Sequence, residues 1–158
     1  MAAFLESPSR RRRPSDSRRT SLMRAGLAVL CLASLSTGAW AFLAPRSFYD
    51  DFPGAGRHWV SLLPPFNEHL TTDVGGFYLA FALLFGWAAV TLARSLLNAL
   101  LSAYVIASVL HVGYHLAHLD GYSTLDKVGQ TLGFAVLIVI ALALLASSAP
   151  RPPGPRAR

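Results

Sequence analysis

Long apolar segments without a charged residue are the feature that most limits how this chain can fold. Four of them, each about 20 residues long, lie at 25–44, 74–93, 95–116 and 128–147. At 1.5 Å per residue, a helix of about 20 residues crosses the roughly 30 Å hydrocarbon core of a bilayer. Charged residues make up 14% of the chain, against about 25% in a soluble domain. The pattern predicts an all-α, four-transmembrane-helix bundle.

The basic residues lie mainly outside the predicted spans. Of the 14 Lys and Arg residues, eleven fall in the first 24 residues, in the short turn at Arg94 or after the last span. Cytoplasmic segments of membrane proteins carry an excess of Lys and Arg, so this distribution predicts that both termini are cytoplasmic. The preference for Arg over Lys, with abundant Ala, Leu, Gly and Pro, is typical of a GC-rich bacterial genome and indicates the bacterial cytoplasmic (inner) membrane.

Both ends of the chain are predicted to be tails. Residues 1–24 combine Ser, Pro and Arg without apolar periodicity, which predicts a disordered basic cytoplasmic tail, and 148–158 form a second, Pro-rich one. The net charge is +6, but no nucleic-acid-binding motif accompanies it, so we do not expect nucleic acid as a partner. The expected partner is the lipid bilayer, with anionic lipid headgroups at the basic tails.

The first span has an alternative interpretation as a cleaved export signal. Arg18 and Arg19 loosely resemble a twin-arginine pair, and Ala39-Trp40-Ala41 has the small residues of a cleavage site. Cleavage there would leave three spans. The long apolar core, and a Trp where the outer interface would be, favour a span that is retained.

Residues 45–73, between the first two spans, are predicted to form a long, aromatic-rich outer loop. Four prolines and two glycines interrupt regular structure in this segment. Its aromatic residues suit the headgroup layer, so we expect the loop to lie on the membrane surface.

Two further local motifs predict where a helix begins and where another helix can approach closely. Ser123 and Asp126 have the spacing of a capping box, which predicts that the fourth helix begins there. In the second span, Gly75, Gly76 and Gly86 are small enough to let another helix approach closely.

Polar residues follow one face of the third span toward its outer end. His111, His115 and His118 have i, i+4, i+7 spacing, and Tyr104 and Ser108 extend the same stripe toward the membrane centre. On the second helix, His69 and Asp73 are also four residues apart. Both groups would lie at the outer edge of the bilayer, so we expect them to face each other.

One interpretation of these residues is a metal site in a membrane enzyme. Imidazole and carboxylate groups bind zinc or iron, and two His residues at i, i+4 can reach one ion from one helix face. The candidate ligands are His69, Asp73, His111 and His115, with Glu68 or His118 as a supporting group or general base. Such a divalent metal would activate water for hydrolysis or support oxidation.

Two other interpretations need no metal. Tyr104, Ser108, His111 and Asp73 would line a pocket for a lipid headgroup, a quinone or a small polar solute, or the same groups would only bond each other and close the bundle. A small transporter or an accessory subunit of a membrane complex is a further alternative. Four short spans leave little room for a solute path, so transport would require a homo-oligomer or a membrane partner protein.

Several loop motifs give the chain a family resemblance. They are Phe48-Tyr49-Asp50-Asp51-Phe52-Pro53-Gly54, Arg57-His58-Trp59-Val60, Asn67-Glu68-His69-Leu70, Asp73-Val74-Gly75 and His111-x-x-Tyr114-His115-x-x-His118-x-Asp120-Gly121. Together they resemble small, uncharacterised four-helix integral membrane proteins of actinobacterial type, over about residues 22–147. The resemblance implies the same four-span architecture and carries no activity, cofactor or catalytic residue with it.

Overall fold

The computed structural model describes residues 14–149, and the long elements in this part of the chain are all helices. The helices α1, α3, α4 and α5 are long and apolar enough to cross a membrane, which confirms the predicted all-α chain with four candidate spans. The elements are α1 (Pro14–Leu43), α2 (Pro45–Asp51), β1 (Pro53–Gly54), β2 (Arg57–His58), α3 (Glu68–Thr91), α4 (Arg94–Ala117) and α5 (Thr124–Ser148).

The first helix begins well before the span that the sequence predicts. Residues 14–24 belong to α1, contrary to the predicted disordered tail over 1–24. Proline is tolerated in a first helical turn, and the Arg, Leu and Met residues that follow favour helix. Tertiary contacts add to this, because Met23 packs against the core and Arg24 Nε donates to the Ala89 carbonyl at 3.1 Å. The remainder of both predicted tails, 1–13 and 150–158, lies outside the described residues.

Local hydrogen bonds fix where α3 and α5 begin. Asn67 Oδ1 accepts from the Leu70 amide at 3.0 Å, and Ser123 Oγ accepts from the Asp126 amide at 3.2 Å. Both bonds satisfy amides that the first turn of a helix leaves unpaired. The predicted helix start at Ser123 and Asp126 is confirmed. Between α3 and α4 the chain turns through Leu92, which has a left-handed φ of 50°.

Helices α1 and α3 approach each other through glycines. A Cβ atom built on Gly75 would lie 2.6 Å from the Phe42 amide nitrogen, and one built on Gly38 would lie 2.8 Å from the Leu79 amide nitrogen. The two backbones are therefore in contact where these glycines face each other. Further along the pair, Cys31 Sγ donates to the Ala82 carbonyl at 3.2 Å.

Helices α4 and α5 are joined by a polar pair near each end. His115 Nδ1 lies 2.9 Å from Gln130 Oε1 near one end, and Ser148 Oγ donates to Asn98 Oδ1 at 2.5 Å near the other. The apolar residues between these pairs complete the contact. This packing differs from that of α1 and α3, where glycines bring the backbones together.

The four long helices share one core between the two pairs. It contains Leu27, Leu30, Phe85, Ala88, Leu97, Leu100, Leu101, Tyr104, Ala141 and Leu144. The helices run alternately up and down, which gives the bundle two ends. We call the end with residues 44–67 and 118–123 the loop end. The other, with Arg18, Arg19, Arg24 and Arg94, is the arginine end.

Candidate functional site

The four predicted metal ligands lie in two pairs at the loop end. His69 Nδ1 is 3.2 Å from Asp73 Oδ2 in the first turns of α3, and both side chains are exposed. His111 and His115 lie together on α4, with ring centroids 4.7 Å apart. Within residues 14–149, no three His, Cys, Asp or Glu side chains are grouped closely enough to hold a metal ion. The expected facing of the two pairs does not form, because α3 packs here against α1 and α4 against α5.

His115 is buried against α5 and bonded to Gln130. An amide oxygen only accepts hydrogen bonds, so His115 Nδ1 donates to Gln130 Oε1 and its Nε2 is left as an acceptor in the neutral ring. Gln130 is 1% exposed, and its Nε2 has no hydrogen-bond partner. Turning the amide over would exchange the two atoms and still leave one of them unpaired.

His111 and Phe134 complete this group, which we call the His/Gln cluster (His111, His115, Gln130 and Phe134). The Phe134 ring lies 5.1 Å from the His111 ring and 5.0 Å from the His115 ring, between centroids. His111 is exposed on the outside of the bundle. The cluster therefore places a buried amide donor and an imidazole acceptor next to a surface that a membrane would cover.

Gln130 is not among the site residues that the sequence pattern predicts. Its signal was present, because Gln130 is an amide in the most apolar of the predicted spans, and such a group needs a partner inside a bilayer. Its position four residues before Phe134 also puts both side chains on one helix face.

Tyr104 and Ser108, predicted to line a ligand pocket, lie deeper in the bundle. The Tyr104 ring is 5% exposed and stands edge-on to Phe81 and Phe85, at 5.5 and 5.1 Å between centroids. Aromatic pairs with this geometry are typical of a packed core. Ser108 is half-buried, one turn further toward the loop end. Tyr104 is thus a residue of the common core.

Glu68 and His118, the other two predicted site residues, lie at helix ends. Glu68 is the exposed first residue of α3. His118 is the C-cap of α4, with Nδ1 2.8 Å from the Tyr114 carbonyl oxygen and its ring stacked on Tyr114 at 4.1 Å. An imidazole that donates to a carbonyl of the last turn stabilises the end of a helix. These contacts give His118 a structural role.

The second assembled group at the loop end fastens the long loop to α5. The Asp126 carboxylate accepts from Arg57 Nη1 at 2.6 Å and from Trp59 Nε1 at 2.8 Å. Ser123 Oγ donates to the same carboxylate at 2.5 Å, and the Tyr122 hydroxyl donates to the Trp59 carbonyl. We call these five residues the loop anchor. Burial, and then the nearby Asp126 charge, raises the pKa of Tyr122.

The rest of the loop is folded on itself. Phe48 and Phe52 lie 4.8 Å apart between ring centroids, and Trp40 contacts both rings at 6.0 Å. The Arg46 guanidinium lies over the Phe66 ring at 5.1 Å and pairs with Asp50 at 2.6 Å. The prolines and glycines thus separate a short helix from a hairpin, and these side chains pack the pieces together.

Similarity to known proteins assigns neither a family nor a function to this chain. Comparison of the chain with models of known protein families, with curated proteins and with solved structures finds no match. The resemblance to actinobacterial four-helix membrane proteins stays a prediction, so the function has to be inferred from this chain's own residues.

Proposed function

We propose that this chain is a multi-pass protein of a bacterial inner membrane that binds a small polar ligand at the His/Gln cluster. The observation that carries the proposal is the buried Gln130 amide, whose oxygen is bonded to His115 while its nitrogen has no hydrogen-bond partner. The ligand would approach past His111 from the side of the bundle. The loop end would face outward, away from the cytoplasm.

The unpaired amide indicates what kind of ligand would fit. A buried donor without a partner costs about 1–3 kcal/mol, and a ligand carbonyl oxygen would remove that cost by accepting from Gln130 Nε2. His115 Nε2 would accept from a hydroxyl or N–H group of the same molecule. The ring of Phe134 would contact its apolar part. The headgroup region of a lipid has an ester carbonyl and a hydroxyl or N–H donor in one molecule, whereas a quinone has carbonyl groups without such a donor.

The charges at the two ends of the bundle support the orientation. Within residues 14–149, the arginine end carries Arg18, Arg19, Arg24 and Arg94 against one acidic residue, Asp16. At the loop end three basic residues stand against six acidic ones: Arg46, Arg57 and Lys127 against Asp50, Asp51, Glu68, Asp73, Asp120 and Asp126. Lys and Arg near span ends favour the cytoplasmic side, which supports a cytoplasmic location for the arginine end.

The test is whether a small molecule stays with the protein and depends on the cluster. Protein purified from bacterial membranes in a mild detergent would be extracted with organic solvent, and the extract analysed by mass spectrometry. We expect a near-stoichiometric molecule that is absent from the His115→Phe/Gln130→Leu double variant. Replacing both partners with apolar groups of similar shape leaves stability nearly unchanged, so this variant should fold.

A matched control is available at the other end of the same helix pair. The Asn98→Leu/Ser148→Ala double variant removes the second polar link between α4 and α5 and should keep the molecule. If wild-type protein carries no such molecule and the cluster variant only melts earlier, the cluster holds the helices together and the proposal is wrong.

Metal content of the same samples separates the enzyme alternative from this proposal. Near-stoichiometric zinc or iron, lost in a folded His111→Ala/His115→Ala variant, would favour a metal-dependent enzyme. The remaining ligands would then come from outside residues 14–149, from a second copy or from the substrate, since the described residues bring no third ligand to this pair.

A further inference from the structure

A groove runs between α1 and α5 at the arginine end. Its volume is about 590 Å³, within the range of about 300–1,000 Å³ that small-molecule sites occupy. Apolar groups form most of its wall, from Leu22, Met23, Gly26, Ile140, Ala143 and Leu144. Arg18, Arg19 and Ser147 lie along the same wall near the helix ends. The groove thus combines a long apolar surface with two guanidinium groups.

Arg19 is held in place at the end of the groove. Its Nη2 donates to the Ser147 carbonyl in the last turn of α5. A second cavity of about 160 Å³ shares Arg19, Met23 and Ser147 and also has Arg94 in its wall. Asp16 is the one acidic residue of α1, so basic groups predominate around both cavities.

The depth of these arginines in a bilayer follows from the length of α1. The helix is continuous from Arg19 to Trp40. That distance is about 32 Å at 1.5 Å per residue, close to the roughly 30 Å thickness of the hydrocarbon core. Tryptophan prefers the interface, so with Trp40 in one headgroup layer, Arg18 and Arg19 reach the other. The groove then extends from the phosphate layer into the hydrocarbon.

We propose that this groove binds one anionic phospholipid, with an acyl chain between α1 and α5 and the phosphate held by Arg18 and Arg19. Guanidinium groups form paired, charge-assisted hydrogen bonds to phosphate oxygens. A soluble anion would use the arginines but leave the apolar wall uncovered. The site requires the membrane location in the proposed function but is independent of the His/Gln cluster.

The test uses the full chain in nanodiscs that contain equal amounts of phosphatidylglycerol and phosphatidylcholine. Protein released into detergent would be weighed by native mass spectrometry, which counts the retained lipids. We expect one retained lipid per chain, enriched in phosphatidylglycerol. In Arg18→Gln the retained phosphatidylglycerol should fall about fivefold, the effect expected for one basic residue beside an anionic lipid surface. Arg18 is exposed, so this variant should fold.

Two further variants separate the groove from general charge. Ala143→Trp places an indole in the groove without changing charge and should abolish retention of the lipid. Arg24→Gln removes the same charge as Arg18→Gln, but Arg24 bonds to Ala89 of α3 and does not line the groove, so retention should stay at the wild-type level.

Several results would overturn the proposal. One is retention of both lipids in the supplied ratio by the wild-type chain. Another is equal loss in Arg24→Gln and Arg18→Gln, which would indicate diffuse attraction to the surface. Unchanged retention in Ala143→Trp would also contradict it, as would release of the lipid by excess inorganic phosphate. A lipid-free chain whose groove is filled by residues 1–13 or by a second copy would equally count against it.

Discussion

Asp126 bonds to the Ser123 cap at the start of α5, and its carboxylate also accepts two hydrogen bonds from the long loop. The sequence predicted the first role, because Ser123 and Asp126 are three residues apart and such local spacing is visible in any helix start. The sequence does not predict the second role, which is the attachment of the long loop. Arg57 and Trp59 are far away in the sequence, and only the packing of the loop over α5 brings them to the carboxylate.

At this residue, Asp126→Asn should loosen the loop without unfolding the helices. The substitution keeps the size of the side chain and removes the charge that pairs with Arg57. We expect amide hydrogen exchange at residues 53–60 to become severalfold faster, while exchange in the spans stays unchanged. Asp120→Asn is the control, because Asp120 is exposed in the neighbouring turn and the charge change is the same. Equal exchange in both variants would show that the anchor contributes nothing to loop order.

Tyr122 of the loop anchor should ionise later than an ordinary tyrosine. Burial and the Asp126 charge raise its pKa above the usual value of about 10. The folded state therefore favours the neutral phenol, a contribution to stability that is fully present below about pH 10 and is lost as pH rises through the folded pKa. The difference in tyrosinate absorbance between wild type and Tyr122→Phe gives this titration. A midpoint at or below that of free tyrosine would contradict the expectation.

At the scale of elements, α1 and α3 depend on glycine for their approach. The sequence singled out Gly75, Gly76 and Gly86 as possible contact points. Gly75 lies against the backbone of α1, whereas nothing lies within 4 Å of a Cβ atom built on Gly76, and the nearest atom at Gly86 is a flexible sulfur at 3.8 Å. Neighbouring glycines of one helix thus have different roles, which composition alone does not distinguish.

Gly75→Ala should destabilise the protein, and Gly76→Ala should not. The new methyl group at 75 would lie 2.6 Å from the Phe42 amide nitrogen, which is backbone and moves only with the helix. Overpacking of this kind costs about 1–3 kcal/mol. At 76 the methyl group meets open space and gains up to about 1 kcal/mol of helix propensity. Thermal unfolding of both variants in one detergent measures the difference, and equal midpoints would contradict the close packing.

The sequence was sufficient to find the spans but not to pair them. Apart from the polar stripe on the third span, the spans are apolar on nearly every face, so their pattern does not indicate which face meets which helix. His111 and Asp73 were therefore expected to face each other from their equal depth alone. In the structure the loop end of α4 packs on α5, and its histidines pair with Gln130 and Phe134.

The sequence also placed the start of the first helix too late. The prediction relied on apolar periodicity, which is absent from residues 14–24 because arginines and serines predominate there. Residues 14–24 instead contact other helices, because Arg19 bonds to α5 and Arg24 bonds to α3. The start of α1 depends on contacts between segments that are distant in the sequence, and a local sequence pattern does not predict such contacts.

At the scale of the whole molecule, large apolar side chains cover the outside of the bundle. Phe77, Trp87, Val90, Leu110 and Val139 are each more than half exposed. Less than a third of every candidate span is buried within the chain. A soluble protein rarely shows so much contiguous apolar surface, whereas a bilayer would cover it.

Orientation is testable with paired fusions. Alkaline phosphatase, which is active only after export, should be inactive when fused after Arg158 and active when inserted between Ala55 and Gly56, at the exposed tip of the hairpin. The expectation follows from the four arginines at one end of the bundle. The reverse pattern would invert the proposed topology, and activity at both positions would indicate an even number of spans after the hairpin instead of the three candidate spans α3, α4 and α5.

The pairing of the helices also sets an order of events during synthesis. Each long helix packs mainly against the one that precedes or follows it in the chain, α1 against α3 and α4 against α5. Since ribosomes add about 5–20 residues per second, the first helical hairpin has on the order of seconds to form before the second emerges. The loop anchor can form only later, because Asp126 is synthesised more than sixty residues after Trp59. During that interval the loop is not attached to α5. We therefore expect a protease to cleave the loop more readily in the nascent chain than in the complete protein.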